Sequence, residues 1–205
     1  MRLHLSPIAL LPPLFWLAQL GGWTAVPASR PSRAAETTRM ARQLVLERIN
    51  AIGRNDDCRR TFEQENIDLD LLRLTVAQTR FYDATGADGD LKFSTVVGRV
   101  ASPDQTLRTL ASEVGADAFV LGYYDAERYV RTRHVVLTRG FHEQPDPDKQ
   151  KLRPTTTDEK QSLLLHEILH IALGKDDEDL NSRSLCPLRL LALCPRTQVV
   201  NQSSE

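Results

Sequence analysis

The sequence has few cysteines, few methionines and no excess charge of either sign. Among its 205 residues are three cysteines and two methionines, and the formal net charge is −1. No two cysteines form a C-x-x-C pair, so we do not expect a zinc site built from cysteine. The balanced charge gives no reason to expect binding to nucleic acid or to an anionic membrane surface. The chain also lacks internal repeats and low-complexity segments.

The residues that are present give the composition of an ordinary globular protein. Hydrophobic residues make up 41% of the chain and charged residues 26%, and 205 residues have room for one domain with a buried core. In an oxidising compartment, Cys58, Cys186 and Cys194 would form one disulfide and leave one thiol. The sequence leaves open whether Cys186 pairs with Cys194 or whether Cys58 pairs with either of them.

The first 28 residues have the pattern of a targeting segment. A basic start, Met1-Arg2-Leu3-His4, precedes a largely apolar stretch from Ile8 to Trp23, and Val26-Pro27-Ala28 offers a small-x-Ala cleavage site. We therefore predict a signal peptide over residues 1–28 and a secreted or periplasmic protein. The alternative is an uncleaved membrane anchor formed by residues 8–23, and only in that case do we expect contact with a membrane.

After the signal peptide we predict a linker over residues 29–35 and one domain over residues 36–205. Leu72, Leu74 and Val76 alternate with polar residues, which is typical of a strand. Helices and strands follow one another without a regular βαβ order, which predicts an α+β domain with a mixed sheet beside the last helix. The predicted elements are a helix over 36–52, strands over 72–82 and 92–100, a helix opened by 102–104 and ending near 115, strands over 118–123 and 130–137, a loop over 143–155, and a helix over about 157–173.

The most specific feature is the H-E-x-x-H motif formed by His166, Glu167 and His170. Helical residues four apart share a face, so both imidazoles could reach one ion, and Glu167 could point at a water on that ion. Two neutral nitrogen ligands beside a general base are the pattern of zinc hydrolases. The surrounding residues 163–173 are mostly apolar, so the helix should be buried and its polar groups should need partners. The alternative is a buried helix whose histidines hydrogen-bond locally.

The ends of this helix can be read from its flanking residues. Thr156 followed three residues later by Glu159 is a capping box, which stabilises a helix N-terminus. Gly174 suits the left-handed position that follows a helix C-terminus. The sequence therefore predicts a helix from about Thr157 to Leu173.

A catalytic zinc ion needs a third protein ligand and one open position. His134, in a predicted strand, and His142, at the edge of a loop, are expected to be ordinary surface residues. The acidic segment at residues 175–179 is better placed, because the chain turns back there after the motif helix. At most one or two members of this segment could touch the metal.

The segment from Leu163 to Pro187 resembles the metzincin clan of zinc peptidases. Those enzymes carry H-E-x-x-H-x-x-G-x-x-H/D followed by a methionine-containing turn. Counted from His170, the third ligand of that pattern falls on Asp176. Counted from Gly174, which stands one residue late, it falls on Asp177. We favour Asp177 as the third ligand, with Asp176 as the alternative, because the glycine turn sets where the chain returns.

The region after the third ligand also resembles the matrixin-like members of the clan. Residues 181–187 are similar to their N-S-x-M-Y-P region, although Leu185 or Cys186 stands where the methionine would be. The predicted strand at residues 134–137 is similar to the strand that precedes the metal helix in that fold. The resemblance therefore covers the motif region closely and the rest of the chain only in the order of its elements.

The resemblance implies a zincin-like domain and a zinc peptidase that acts on peptides or proteins. The signal peptide predicts that it is exported, and we expect a monomer. Zn²⁺ would be held by His166, His170 and an aspartate, and Glu167 would be the general base. A neighbouring strand could bind the substrate backbone by β-augmentation. Arg139 and Tyr124 are polar residues that could contact the substrate, and no pattern singles out either one.

Two alternatives belong to other functional classes. The first is a pseudo-peptidase that keeps the fold and binds peptides without cleaving them; the intact Glu167 argues against it. The second is an exported interaction domain without a metal, in which His166 and His170 are core residues.

Overall fold

Helices and short strands alternate along the described part of the chain, residues 33–98, 105–125, 128–149 and 151–182 of a computed structural model. These residues belong to one compact unit, Pro31–Glu205, and a second unit, Met1–Arg30, lies outside them. The predicted signal peptide therefore falls outside the described residues. No helix of the described part is long and apolar enough to cross a membrane.

The described elements confirm a mixed α+β fold. A 3₁₀ turn at Ala87–Asp90 precedes α4. The strands are β1 (Arg80–Asp83), β2 (Ala118–Asp125), β3 (Arg128–Leu137), β4 (Glu143–Pro145) and β5 (Leu152–Pro154). The helices are α1 (Arg33–Arg54), α2 (Asp56–Gln64), α3 (Leu69–Gln78), α4 (Phe93–Val97), α5 (Leu107–Val114), α6 (Arg139–His142), α7 (Thr157–Leu173) and α8 (Asp177–Ser182).

The main sheet has three strands in the order β1-β3-β2 and is mixed, as predicted. Strand β3 runs parallel to β1 and antiparallel to β2, with Val135 opposite both Phe81 and Val120. The predicted strands over 118–123 and 130–137 are therefore confirmed. Strand β2 has a free edge within the described sheet, and a register shift occurs between Val120 and Gly122. Strand β2 contacts the H-E-x-x-H helix, α7, and the Val120 backbone of β2 forms a hydrogen bond with Glu167.

Helix α7 is the centre of the core. It contacts α1 and α3 on one side and β2 and β3 on the other. Its apolar side chains Leu164, Leu165, Ile168 and Leu169 are fully buried. A helix that is apolar around most of its circumference is stable only when surrounded in this way, so the burial predicted for this segment is confirmed.

The predicted ends of α7 are also confirmed. The Thr156 hydroxyl accepts a hydrogen bond from the Glu159 amide, and the Glu159 carboxylate accepts one from the Thr156 amide, which completes the capping box. Gly174 follows the helix with φ of 65°, a left-handed conformation that glycine adopts without steric cost.

Acidification should destabilise the wild-type protein more than a Glu159→Gln variant between pH 4.5 and about 2. A hydrogen bond from Arg153, aided by bonds from Thr156, lowers the pKa of Glu159 from 4.5 to about 2. Because the folded pKa lies below the unfolded value, the ionised carboxylate stabilises the fold above pH 4.5, and this contribution is lost as the pH falls toward 2. Urea unfolding at a series of pH values measures the effect. The same pH dependence in both proteins would contradict it.

The strand predicted over 72–82 is wrong except at its end, because residues 69–78 form helix α3. Asp68 caps this helix by accepting a hydrogen bond from the Asp70 amide. Leu72 and Val76, four residues apart, are fully buried, whereas Leu74 is 55% exposed. The apolar positions thus follow the helical period, and their alternation in the sequence was coincidental.

The strand predicted over 92–100 is also wrong in its described part. Lys92 forms one isolated bridge with Thr106, and Phe93–Val97 is the short helix α4, which ends at Gly98 in the left-handed conformation. The helix predicted to open at 102–104 instead begins at Leu107. Residues 99–104 lie outside the described part of the chain.

Three smaller predictions have mixed outcomes. Helix α1 begins at Arg33, so the last residues of the predicted linker 29–35 are helical. The loop predicted over 143–155 contains the two-stranded hairpin of β4 and β5. Cys58 is disulfide-bonded, and the cysteines that could be its partner, Cys186 and Cys194, lie outside the described residues.

Candidate metal centre

Three side-chain atoms converge at the C-terminal end of α7. The Nε2 atoms of His166 and His170 lie 3.0 Å apart, and the Oδ1 atom of Asp177 lies 2.9 Å from the first and 3.2 Å from the second. Ligands about 2.0–2.1 Å from a tetrahedral zinc ion are separated by about 3.3 Å. A small outward movement of the three atoms would therefore admit an ion. Among the described residues, these three side chains form the one cluster of at least three His, Cys, Asp or Glu residues that could hold a metal ion.

The orientation of His170 is set by a bond to the backbone. Its Nδ1 atom lies 2.7 Å from the carbonyl oxygen of Lys175, a distance at which the nitrogen must donate its hydrogen. In the neutral imidazole the lone pair then belongs to Nε2, which points at the cluster. This places two lone-pair atoms, His170 Nε2 and Asp177 Oδ1, 3.2 Å apart. A cation between them would turn this unfavourable contact into a favourable one.

Asp177 reaches the cluster because the chain reverses at Gly174. Arg131 Nη1 donates to the Gly174 carbonyl at 3.0 Å and ties the turn to β3. Asp177 then begins α8, with its side chain 76% exposed. Asp176 is not part of the cluster: its Oδ1 atom accepts a hydrogen bond from the Asp179 amide. Of the two aspartates predicted as ligands, the structure brings Asp177 to the histidines and uses Asp176 to cap α8.

The histidines favour the ionised form of Asp177. Partial burial alone would raise the pKa of Asp177, but the hydrogen bond with His166 and the charge that both imidazoles carry when they are protonated lower it below its ordinary value. An ionised carboxylate is the form that binds a metal ion. The electrostatic environment therefore suits Asp177 as a ligand.

Glu167 lies beside the cluster and is almost completely enclosed. Its exposed fraction is 5%. Burial first, and then the negative charge of Asp177, raise the pKa of Glu167 well above its ordinary value, while a hydrogen bond from the Val120 backbone opposes the shift. A buried carboxyl group next to a metal site is typical of a residue that exchanges protons with bound water.

The cluster opens into a cleft of about 440 Å³ between α7 and the free edge of β2. His166, Glu167 and His170 form one wall, and residues 116–120 form the opposite wall. Val114, at the end of α5, is an exposed residue that also lines this cleft. An extended chain could therefore lie along β2 and pass over the cluster. A cavity of about 920 Å³ between α1 and β1 includes none of the cluster residues.

The other histidines of the domain, His134 and His142, lie away from the cluster, but both are partly buried and not the surface residues that we predicted. His134 packs its ring edge against Tyr82, with the ring centroids 5.7 Å apart. His142 Nε2 lies 3.3 Å from the Oδ1 atom of Asp83. Neither belongs to the metal-binding group.

Arg131 is a site residue that the sequence did not reveal. It stands in the run Val-Arg-Thr-Arg, where nothing distinguishes it from Arg133. The hydrogen bond to Gly174 joins residues 43 positions apart, so only the tertiary structure shows that Arg131 supports the ligand-bearing turn.

We expect Arg131→Ala to weaken the binding of a divalent metal ion about tenfold, at the lower end of what loss of an outer-shell partner costs. Without the bond to Gly174, the turn that carries Asp177 is less well held. Titration with zinc in competition with a chromogenic chelator gives the dissociation constant. Arg133→Ala, on the same strand and exposed, is the control. Equal affinities in the two variants would contradict a supporting role for Arg131.

Comparison of the chain with protein-family models, curated proteins and solved structures gives no match.

Proposed function

We propose that this protein is an exported zinc-dependent peptidase. Zn²⁺ would be held by His166, His170 and Asp177, with Glu167 as the general base. The observation that carries the proposal is the convergence of three metal-ligating atoms beside a buried carboxyl group in an open cleft. No other described region combines these features.

The arrangement of the elements supports a zincin-like fold for the domain. The helix that carries the H-E-x-x-H motif packs against a mixed sheet, and its ligands face the free edge of the antiparallel strand β2. The third ligand comes from the turn that follows the helix C-terminus. These are the relations that the sequence resemblance to metzincins implies.

The proposed reaction is attack of water on a peptide carbonyl. Bound Zn²⁺ supplies Lewis acidity, which polarises the carbonyl group and allows water to lose a proton near neutral pH. Glu167 accepts that proton as the new C–O bond forms. It then delivers the proton to the amine nitrogen as the C–N bond breaks, so that one water is consumed for each peptide bond.

Burial of Glu167 suits this role. A carboxyl group with a raised pKa is a stronger base than an exposed one, and the cation at His166 and His170 would favour its ionised form. A hydrogen bond from the Val120 backbone holds the carboxyl group of Glu167 beside strand β2. A substrate paired with that edge would place its backbone carbonyl near the base.

Export is supported by the cysteine chemistry. The disulfide at Cys58 is the form expected in a secreted or periplasmic protein. A signal peptide over residues 1–28 would deliver the domain to such a compartment.

The two alternatives, a peptide-binding pseudo-peptidase and a metal-free interaction domain, both predict a protein without hydrolytic activity.

Chelation tests the proposal directly. The purified full chain should hydrolyse an unfolded, labelled protein when loaded with zinc, lose the activity in excess chelator and recover it when zinc is restored. Hydrolysis that is insensitive to the chelator would point to another catalytic chemistry. No hydrolysis by the zinc-loaded protein would favour the non-catalytic alternatives.

A further inference from the structure

We infer that the substrate carries an acidic side chain, which binds in a basic pocket at one end of the metal cleft. The inference rests on the proposed peptidase function. The basic pocket has a volume of about 430 Å³ and is lined by Arg108, Arg139 and several small residues. This pocket would give the enzyme a preference for substrates with an acidic side chain, and the metal cluster itself does not supply such a preference.

The basic pocket is adjacent to the metal cleft. Ala116 and Asp117 line both, so one stretch of backbone forms a wall of each. Thr138 anchors this stretch by donating its hydroxyl to the Ala116 carbonyl at 2.7 Å and its amide to the Asp117 carbonyl at 3.1 Å. A substrate lying along β2 toward its N-terminal end would therefore reach the basic pocket over a fixed surface.

The distance between the two places fits a short peptide. Val120, whose backbone contacts Glu167, is three residues beyond Asp117. At about 3.3 Å per extended residue, the separation is about 10 Å. The acidic side chain would thus stand about three residues from the bond that is cleaved.

Arg139 has the free donors that a carboxylate needs. Its side chain is 74% exposed, and its Nε atom donates to Glu143 at 3.1 Å. Its two terminal Nη groups make no hydrogen bond within the described residues. A guanidinium presents such groups as a planar fork that suits a carboxylate. Arg108 adds positive charge, while its own donors are directed to the Gly86 carbonyl and to Asp90.

The carboxylate in the basic pocket, Asp117, is held against Gln144 and Gly140. Asp117 Oδ2 accepts a hydrogen bond from Gln144 at 2.7 Å. Its Oδ1 atom packs so closely on Gly140 that a Cβ atom there would collide with it. The free donors of the pocket are therefore the Nη groups of Arg139, and these groups suit an anionic side chain. The small side chains of Ala84, Ala111 and Ala116 leave the space for it.

Paired peptides test the preference. Each pair differs by Glu or Gln at one position, two to four residues on either side of the cleaved bond, and kcat/KM is measured with the zinc-loaded full chain. We expect the Glu peptide to be preferred about tenfold at one position about three residues from the bond. In Arg139→Glu the ratio of the two kcat/KM values should fall to one or below. A ratio near one at every position in the wild type would overturn the inference.

The control is Arg60→Glu on α2. Arg60 is 65% exposed and pairs with Asp57 much as Arg139 pairs with Glu143, but it lies outside both clefts. This variant should keep the wild-type ratio; a ratio that falls equally would show a general effect of net charge and contradict the basic pocket.

A binding measurement separates this inference from the peptidase proposal. If no peptide is cleaved, the proposed function fails, and fluorescence anisotropy with the same labelled peptides still tests the basic pocket. Tighter binding of the Glu peptide by the wild type, lost in Arg139→Glu, would support the pocket without catalysis. Equal binding of both peptides would overturn it.

Discussion

Glu167→Gln is expected to lower kcat/KM for peptide hydrolysis by about 10²–10⁴-fold, the usual contribution of a general acid–base residue. The amide has the shape of the carboxyl group and can still accept the Val120 hydrogen bond, but it cannot take a proton from water. Initial rates with a fluorogenic peptide measure the loss.

Metal content must be measured in the same samples. Glu167→Gln should still bind one zinc ion, since Glu167 is not a member of the ligand group. Glu178→Gln removes an exposed carboxylate next to Asp177 and serves as the control, with a rate close to that of the wild type. A Glu167→Gln enzyme that is as active as the control would show that another group accepts the proton.

Removing zinc should lower the thermal stability of the wild type by about 10 °C. A ligand that binds only the native state adds about 4 kcal/mol of stability at a thousand times its dissociation constant. In a chain of this size, each kcal/mol corresponds to about 2–4 °C in Tm. Thermal unfolding in excess zinc and in excess chelator gives the difference.

In His170→Ala, the Tm should be the same in excess zinc and in excess chelator. This change removes the ligand whose orientation is fixed by the Lys175 carbonyl. His134→Ala is the matched control, because His134 lies outside the cluster and should leave the difference between the zinc and chelator measurements intact. A wild-type Tm that is the same in zinc and in chelator would mean that the histidines are stabilised without a metal.

Helix α7 could be predicted closely because its determinants are local. The capping box at Thr156, the apolar face and Gly174 all act within a few residues, and each lies where the sequence placed it. The preference for Asp177 over Asp176 also followed from local geometry, since Gly174 sets the place at which the chain returns.

The errors occurred where local patterns were ambiguous. Leu72, Leu74 and Val76 fit the period of a strand, but Leu72 and Val76 alone also fit one face of a helix. Packing against α1 and α7 decided between the two, and packing partners are distant in sequence. Short apolar segments are therefore the least predictable part of this fold.

The supporting residues of the site could not be predicted because they depend on tertiary contacts. Arg131 reaches Gly174 from a strand 43 residues away, and Val120 contacts Glu167 across the cleft. The basic pocket is formed by segments around Arg108, Asp117 and Arg139 that only the fold brings together. The proposed ligands, by contrast, lie within twelve residues of one another, which is why the sequence could indicate them.

The most direct test of the metal centre is the number of zinc ions bound per chain, measured by equilibrium dialysis and elemental analysis of the full chain. The wild type should bind one zinc ion, and Asp177→Ala should bind it much more weakly, whereas Asp176→Ala should retain wild-type binding. A wild-type chain that binds no zinc, or an Asp177→Ala chain that binds as tightly as the wild type, would contradict the proposed ligand set of His166, His170 and Asp177.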